Sequence, residues 1–264
     1  LSDTCNTFKR TKEALGQGLP PVLPYFSRRF SDGPVWVEYL AHFLKLSRSC
    51  HTNFAVSGAT TGDANTFPLE TVRLPGLKQQ LEAFIQSLNN AEADRDALYV
   101  LWAGANDYLA GGVTDPTEPI ANLTNAVKVL LDNGARQIMV TNLPDLGRLP
   151  GTRKLRLSRG LHALSMAHNT GLAASLKTLH QKFHSDAVDI MLFDVDALTQ
   201  QMWAEPGEFG FTNITDSALA SVAKFEGYED SFFFWDNIHP TTTVHLALAR
   251  TAVSQLIPKL TIAS

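Results

Sequence analysis

The pattern of apolar and polar residues along the chain predicts strands and helices that alternate. Residues 98–103 are nearly all apolar, which is typical of a strand buried on both faces of a parallel sheet, and residues 137–141 predict another buried strand. Residues 188–193 predict a further strand. Between these runs apolar residues recur every three or four positions, as in amphipathic helices. Such helices are expected from about Leu77, over 120–131 with Gly134 at the end, and over 154–183.

Shorter elements are predicted at the two ends of the chain. Pro34 opens a predicted helix, and Phe54 to Val56 is predicted to be a short strand. After residue 193 the pattern is irregular, with a loop up to Tyr228. The chain then closes with a strand at 232–235 and a helix from Thr241 to about Leu256.

Length and composition favour one domain and exclude several partners. The 264 residues are 44% hydrophobic, and the alternation of elements predicts an α/β domain over 1–264, a doubly wound parallel sheet flanked by helices. The formal charge of -4 is spread out, and no basic cluster with interleaved aromatics is found, so nucleic acid is not an expected partner. No apolar run has the length of a transmembrane segment. For Cys5 and Cys50, two free thiols are favoured over a bridge.

The segment Trp235-Asp236-Asn237-Ile238-His239-Pro240 carries the strongest candidate chemistry. A histidine can take a proton from a hydroxyl nucleophile, while a nearby carboxylate fixes its tautomer and stabilises the imidazolium. Asp236 and His239 therefore indicate an acid–base pair. The alternative is that Asp236 caps the helix after Pro240 and that His239 is a surface residue.

Gly58 and Asn106 each follow the end of a predicted strand. A backbone N–H and a side-chain amide can hold negative charge that develops on an oxygen, and glycine permits a close approach. Ordinary turn chemistry is the alternative at both positions. The chain has neither Gly-x-Gly-x-x-Gly nor a phosphate-binding loop, which argues against dinucleotide or nucleoside-triphosphate chemistry.

Taken in order, these segments resemble the GDSL branch of the SGNH hydrolase superfamily over nearly the whole chain. Residues 1–6 look like the tail of the family's first block, with Cys5 in place of glycine, and 53–62 look like the second block. Gly104-Ala105-Asn106-Asp107 fits the third block, and Asp236-x-x-His239-Pro240 fits the last. Residues 29–36 also resemble a family landmark.

The resemblance implies a flavodoxin-like SGNH fold and a carboxylic ester hydrolase of the lipase or esterase type. It makes Asp236 and His239 the triad acid and base, and Gly58 and Asn106 the oxyanion donors. Neither a metal nor an organic cofactor is expected. The expected substrate is a small-molecule or lipid ester.

The nucleophile is where the chain departs from the family pattern. The family's serine would stand immediately before Leu1, and the first strand, which lies inside the sheet, would precede it. Loss of an interior strand would leave buried backbone groups unpaired at about 1 to 3 kcal/mol each. We therefore expect that these residues belong to a longer polypeptide or that a separate segment supplies the strand. Ser2 is the nearest substitute nucleophile, although helix capping is its favoured role.

Three questions stay open at this point. A rival from another class is a catalytically inactive member that binds a glycan, lipid or protein, and acyl transfer is a further possibility. The three phenylalanines at residues 232–234 have two interpretations, the lining of an acyl pocket or a buried strand, and the buried strand is favoured. The compartment is open, because an upstream signal peptide would make the protein secreted or periplasmic.

Overall fold

The computed structural model describes residues 1–46, 52–67, 69, 72–183, 188–222 and 231–260. The helices of these residues are α1 (Asn6–Leu15), α2 (Trp36–Phe43), α3 (Leu77–Ser87), α4 (Ala105–Leu109), α5 (Thr117–Asp132), α6 (Ser158–Lys182), α7 (Val195–Ala204), α8 (Ala218–Val222) and α9 (Thr242–Leu260). The strands are β1 (Leu98–Leu101), β2 (Gln137–Thr141), β3 (Asp189–Phe193), β4 (Asn213–Ser217) and β5 (Phe232–Phe234), and short 3-10 helices lie at Leu146–Arg148 and Pro206–Phe209.

The chain divides into two compact units. The first contains Leu1–Ser57, Arg148–Leu155 and Leu198–Ser264, and the second contains Gly58–Gly147 and Arg156–Ala197. The single domain expected over 1–264 stays a prediction.

The second unit is built on a parallel sheet with the strand order β1-β2-β3. Leu98 pairs with Gln137, and Gln137 pairs with Asp189, so the three strands begin level with one another. Three consecutive residues of β2, Ile138 to Val140, are fully buried. Because successive side chains of a strand point to opposite faces, the sheet is covered on both faces at β2. This double burial explains why the strand is apolar without alternation.

Helices α5 and α6 pack on each other in the second unit, and α6 also contacts β3. Their apolar residues recur three and four positions apart, which places them on one stripe of each helix. The stripes join the strands in one core, made of residues that include Leu123, Val127, Leu130, Leu172, Leu176, Ile138 and Val140. The strands predicted at 98–103, 137–141 and 188–193 and the helices predicted from Leu77, over 120–131 and over 154–183 are confirmed, with shifts at their ends.

In the first unit, α2 packs against α9. Trp36, the first residue of α2, is fully buried, and Val244 and Leu248 of α9 are each only 1% exposed. β4 and β5 form a separate parallel pair with an irregular register. Phe233 and Phe234 of β5 are only 3% and 2% exposed, so the favoured interpretation as a buried strand is confirmed for these two residues, whereas Phe232 is half-buried.

Two predictions in irregular parts of the sequence were wrong. Phe54 to Val56 is not a strand, because its neighbouring backbone groups bond side chains instead of another strand: Asn6 Nδ2 donates to the carbonyls of Asn53 and Ala55 at 2.8 and 2.9 Å. The region after residue 193 is not irregular throughout, since it contains α7, β4 and α8. The mainly polar β4 lacks the apolar run that would predict a strand.

The observed class is α/β, with parallel sheets flanked by helices, as predicted. Among the helices of the described residues, none combines the length and the apolar character needed to cross a membrane. Cys5 is a free thiol, and Cys50 lies outside the described residues.

Candidate functional site

Asp236 and His239 form a closed pair on the turn that follows β5. His239 Nδ1 lies 2.8 Å from Asp236 Oδ2, and the two side chains are 22% and 16% exposed. The other carboxylate oxygen, Oδ1, accepts the backbone N–H groups of Ile238 at 2.8 Å and His239 at 2.7 Å. The carboxylate therefore closes its own turn, and both of its oxygens are bonded to the His239 segment.

The charge of Asp236 fixes the state of the imidazole ring. Burial by itself would raise the pKa of Asp236, but the charge and hydrogen bonds of His239, together with the Ile238 N–H, hold this pKa at about 2. A carboxylate can only accept, so Nδ1 of His239 carries the hydrogen of their bond. Nε2 of the neutral ring is then the proton acceptor.

The segment of residues 29–36 holds the Asp/His turn and the start of α9. Ser31 Oγ donates to the carbonyl of Pro240 at 3.2 Å, and Asp32 Oδ1 accepts the N–H of Thr242 at 2.7 Å. A Cβ at Gly33 would lie 2.5 Å from Thr242 Oγ1, so a glycine is needed for this approach. The cap of α9 is thus Asp32, and Asp236 is left to bind His239.

Tyr25 and Phe30 complete the surroundings of the pair. The Tyr25 hydroxyl donates to Asp236 Oδ2 at 3.0 Å. The Phe30 ring stacks on His239 with centroids 5.0 Å apart and an interplanar angle of 28°. Neither residue was predicted to be part of the site, although Phe30 lies inside the landmark of residues 29–36. Tyr25 stands in a Pro/Gly-rich loop and carries no periodic signal that would have marked it.

Gly58 adopts a conformation reserved for glycine. Its φ is +81°, and a Cβ there would meet Asn65 Oδ1 at 2.5 Å and Phe67 N at 2.9 Å. Its carbonyl accepts the backbone N–H of Thr66 at 2.8 Å. The residue is therefore locked in a tight turn in which no side chain fits.

Asn106 lies in the first turn of the short helix α4, after Gly104 with φ +122°. Its Nδ2 donates to the carbonyl of Ala59 at 2.9 Å, which ties it to the residue next to Gly58. An amide carries two N–H donors, so this bond uses one of them.

Asp107 and Thr61 form a second tie between the two segments. The Asp107 carboxylate accepts the Thr61 hydroxyl at 2.7 Å and the Thr61 N–H at 3.0 Å. Burial raises the pKa of Asp107, against the opposing effect of the Thr61 bonds. Asp107 was not predicted to be a site residue, although it stands in the block that contains Asn106.

A buried histidine packs beneath Gly104. His168 of α6 is fully buried, and its Nδ1 is 2.8 Å from the Tyr108 hydroxyl. A Cβ at Gly104 would be 3.0 Å from His168 Cε1. Burial lowers the pKa of His168 to about 4, so the ring is neutral at physiological pH. The turn at Gly104–Asn106 therefore packs against an uncharged imidazole.

The residues of the first block join the segment before Gly58. Asp3 is buried and accepts the N–H groups of Cys5, Asn6 and Ser57 at 2.9, 2.7 and 3.1 Å. Ser2 Oγ accepts a hydrogen bond from Nε1 of the buried Trp36 at 3.0 Å. Asp3 thus binds the first N–H groups of α1. The helix-capping role predicted for Ser2 therefore belongs to Asp3.

The structure brings the predicted residues together in pairs. Asp236 and His239 meet in the first unit, and Gly58 and Asn106 are joined through Ala59 in the second unit. In the described part of the chain, no three histidine, cysteine, aspartate or glutamate side chains are grouped as metal ligands would be.

The chain belongs to the GDSL-like lipase/acylhydrolase family, whose sequence profile matches residues 9–251. It is 28% identical to the phosphatidylcholine-sterol acyltransferase of Aeromonas hydrophila, over 96% of this chain and 87% of that protein. It is also 28% identical to the thermolabile hemolysin of Vibrio parahaemolyticus, over 94% of this chain and 60% of that protein. A solved carbohydrate acetylesterase from Sinorhizobium meliloti shares 14% identity over 78% of this chain and 76% of its own, with a TM-score of 0.46.

Proposed function

We propose that this protein hydrolyses carboxylic esters with a serine nucleophile. His239 is the general base, Asp236 orients and charges it, and the Gly58 N–H and the Asn106 amide stabilise the oxyanion. The nucleophile in this proposal is the serine of the family's first block, which the family register puts immediately before Leu1. Membership of a lipase/acylhydrolase family supports the reaction class.

The observation that carries the proposal is the bond between His239 Nδ1 and Asp236 Oδ2 at 2.8 Å. It fixes the tautomer in which Nε2 has a free lone pair, and it places a full negative charge beside the ring. A structural histidine needs neither feature. A general base needs both, because the imidazolium that forms must be stabilised.

The reaction then runs through two matched steps. His239 Nε2 takes the serine proton as the hydroxyl oxygen bonds to the ester carbonyl carbon, and negative charge collects on the carbonyl oxygen. The imidazolium gives this proton to the leaving alcohol as the ester C–O bond breaks, which leaves an acyl-enzyme. Water repeats the sequence on the acyl-enzyme, so that the serine is released with a carboxylic acid.

A lipid ester is the substrate class that the relatives favour. One relative is named for phosphatidylcholine, and another is named a hemolysin. We therefore take the acyl esters of phosphatidylcholine as the first natural substrate to test, after a soluble short-chain ester that reports the chemistry alone.

The test is hydrolysis of p-nitrophenyl butyrate by the natural full-length gene product and by its His239→Ala variant. The matched control is His162→Ala, because His162 Nδ1 also lies 2.8 Å from a carboxylate, that of Asp145, but its side chain is 54% exposed. We expect His239→Ala to lose at least about a thousandfold in kcat/KM. His162→Ala should keep the wild-type rate. Equal rates in wild type and His239→Ala would contradict the proposal, and a wild type without any turnover would favour the inactive, ligand-binding member.

Ser2 is tested by the same assay. Because its hydroxyl accepts the bond of a buried tryptophan, we expect Ser2→Ala to retain activity within about threefold, at the cost of one ordinary hydrogen bond. Loss of activity on the scale of His239→Ala would make Ser2 the nucleophile instead.

Acyl transfer is a second candidate, because a relative that aligns with 96% of this chain is named an acyltransferase. It shares every step up to the acyl-enzyme and differs only in the acceptor. Product analysis in the presence of an alcohol distinguishes the two: transfer gives a new ester, whereas hydrolysis gives only the free acid.

A further inference from the structure

The Tyr25 hydroxyl reaches the carboxylate oxygen that also binds the His239 ring. It lies 3.0 Å from Asp236 Oδ2, and His239 Nδ1 lies 2.8 Å from the same atom. Burial and the neighbouring Asp236 carboxylate raise the pKa of Tyr25 well above its ordinary value, so its hydroxyl stays protonated. It can therefore only donate to Asp236. Oδ2 then accepts two hydrogen bonds, one from Tyr25 and one from His239.

The loop that carries Tyr25 is fixed at several points. Phe26 N donates to the carbonyl of Ser31 at 2.8 Å, which closes the loop on itself. The Arg29 guanidinium binds the Glu38 carboxylate of α2 through two nitrogens, at 3.0 and 2.6 Å, in a largely buried ion pair. Such bidentate pairs fix direction as well as distance. The loop is thus anchored to α2.

Aromatic packing joins this loop to the rings around Asp236. Tyr25 meets Phe30 edge to face at 5.8 Å, and it meets Trp235 in the same way at 6.4 Å. Phe30 in turn stacks on the His239 ring. The loop therefore contacts both members of the pair, the carboxylate through Tyr25 and the imidazole through Phe30.

We infer that Tyr25 is a positioning residue for the reaction, which holds Asp236 in the orientation that its bond to His239 requires. This inference rests on the proposed ester hydrolysis. Without the Tyr25 bond, Asp236 is held only by groups of its own turn, and the second donor on Oδ2, which comes from another segment, further opposes rotation about the Cβ–Cγ bond. Phe30 restricts the imidazole in the same manner, because a stacked ring limits tilt about the Cβ–Cγ bond of His239.

The effect acts on the chemical step and not on substrate binding. Misplaced catalytic groups lower the rate at which bound substrate reacts, because the proton transfer depends on a narrow range of distance and angle. Tyr25→Phe keeps the ring contacts with Phe30 and Trp235 and removes only the hydroxyl. We expect kcat to fall about tenfold, the scale of a hydrogen bond to a charged group, with KM unchanged.

The experiment measures kcat and KM for p-nitrophenyl butyrate in Tyr25→Phe, after active-site titration with a phosphonate ester has given the fraction of competent enzyme. The matched control is Tyr39→Phe, which removes another hydroxyl of the first unit, 2.8 Å from Thr242 Oγ1. Phe30→Leu tests the stacked ring and should lower kcat by about threefold. Tyr39→Phe should leave kcat per competent site unchanged.

A double variant separates positioning from a purely structural role. If Tyr25 acts through His239, adding Tyr25→Phe to His239→Ala has no further effect on the residual rate, whereas a structural effect would multiply with it. Tyr25→Phe with the kcat of Tyr39→Phe would overturn the inference, as would full multiplication in the double variant. A wild type that hydrolyses no ester would instead contradict the proposed function, so the two failures are distinguishable.

Discussion

The ring of His239 and the carboxylate of Asp236 are joined through both carboxylate oxygens. Oδ2 lies 2.8 Å from the ring Nδ1, and Oδ1 lies 2.7 Å from the backbone N–H of the same histidine. One residue is thus held at its side chain and its main chain by a single partner three positions away. The bonds within this turn define the pair, and Tyr25 adds a further bond to Asp236 Oδ2 from another segment of the chain.

The first prediction concerns the stability that Asp236 contributes. The pKa of Asp236 in the folded protein is about 2, below its ordinary value of 3.8. Its contribution to stability is therefore fully present above pH 3.8 and is lost as the pH falls to about 2. The shift corresponds to about 2 kcal/mol. We expect urea unfolding to show wild type more stable than Asp236→Asn near neutral pH, with a difference that shrinks by about this amount towards pH 2. A difference that is independent of pH would be inconsistent with this assignment.

Asn106→Ala should reduce catalysis and leave binding nearly intact. In the proposed function the Asn106 amide donates to charge that develops only in the transition state, and loss of such a donor costs about a hundredfold or more in kcat. Asn122→Ala is the control, because the Asn122 side chain also binds this region: its Nδ2 donates to Thr61 Oγ1 at 3.2 Å. Steady-state kinetics of both variants should show the kcat loss only for Asn106. Similar losses in both would mean that Asn106 acts through the fold alone.

Gly58→Ala should destabilise the protein by about 3 kcal/mol, because a positive φ and a steric clash add together. The clash is with Asn65 Oδ1, 2.5 Å from the new Cβ. Gly112→Ala has a similar φ of +71° and open space around the Cβ, so it should cost only about 1 kcal/mol. Thermal unfolding of the two variants measures the difference. Equal destabilisation would show that the Gly58 turn has room to relax.

Because of His168, the protein should be less stable in mild acid than at neutral pH. The folded pKa of His168, about 4, lies below the ordinary 6.5, so the unfolded chain takes up a proton that the folded chain refuses, and stability falls as pH drops through this interval. The loss is about 3 kcal/mol. His168→Gln keeps a polar partner for Tyr108 and does not titrate. Urea unfolding should therefore show a shallower pH dependence in the variant, whereas parallel curves would contradict a buried neutral His168.

Sequence reasoning succeeded where the structure depends on local patterns. The strand β2 could be predicted because it is buried on both faces, so that its three central residues, Ile138 to Val140, are all apolar. The bond between Asp236 and His239 could be predicted because both residues stand on one short turn.

The missed features depend on contacts between residues far apart in the chain. Tyr25 meets Asp236 across 211 positions, and Asp107 meets Thr61 across 46. No periodicity of the sequence indicates such contacts, because they join side chains to polar groups of segments far away in the chain. The strand predicted at residues 54–56 was wrong for the same reason, since the Asn6 side chain of α1 binds the carbonyls of Asn53 and Ala55.

The most direct test of the account is a double-mutant cycle on Asp236 and His239, read as kcat/KM for p-nitrophenyl butyrate. Because the two residues act as one unit, we expect Asp236→Asn to lose about a hundredfold or more, His239→Ala to lose at least about a thousandfold, and the double variant to be no slower than His239→Ala. Losses that multiply in the double variant, or a His239→Ala enzyme with the wild-type rate, would contradict the claim that this pair moves the proton in ester hydrolysis.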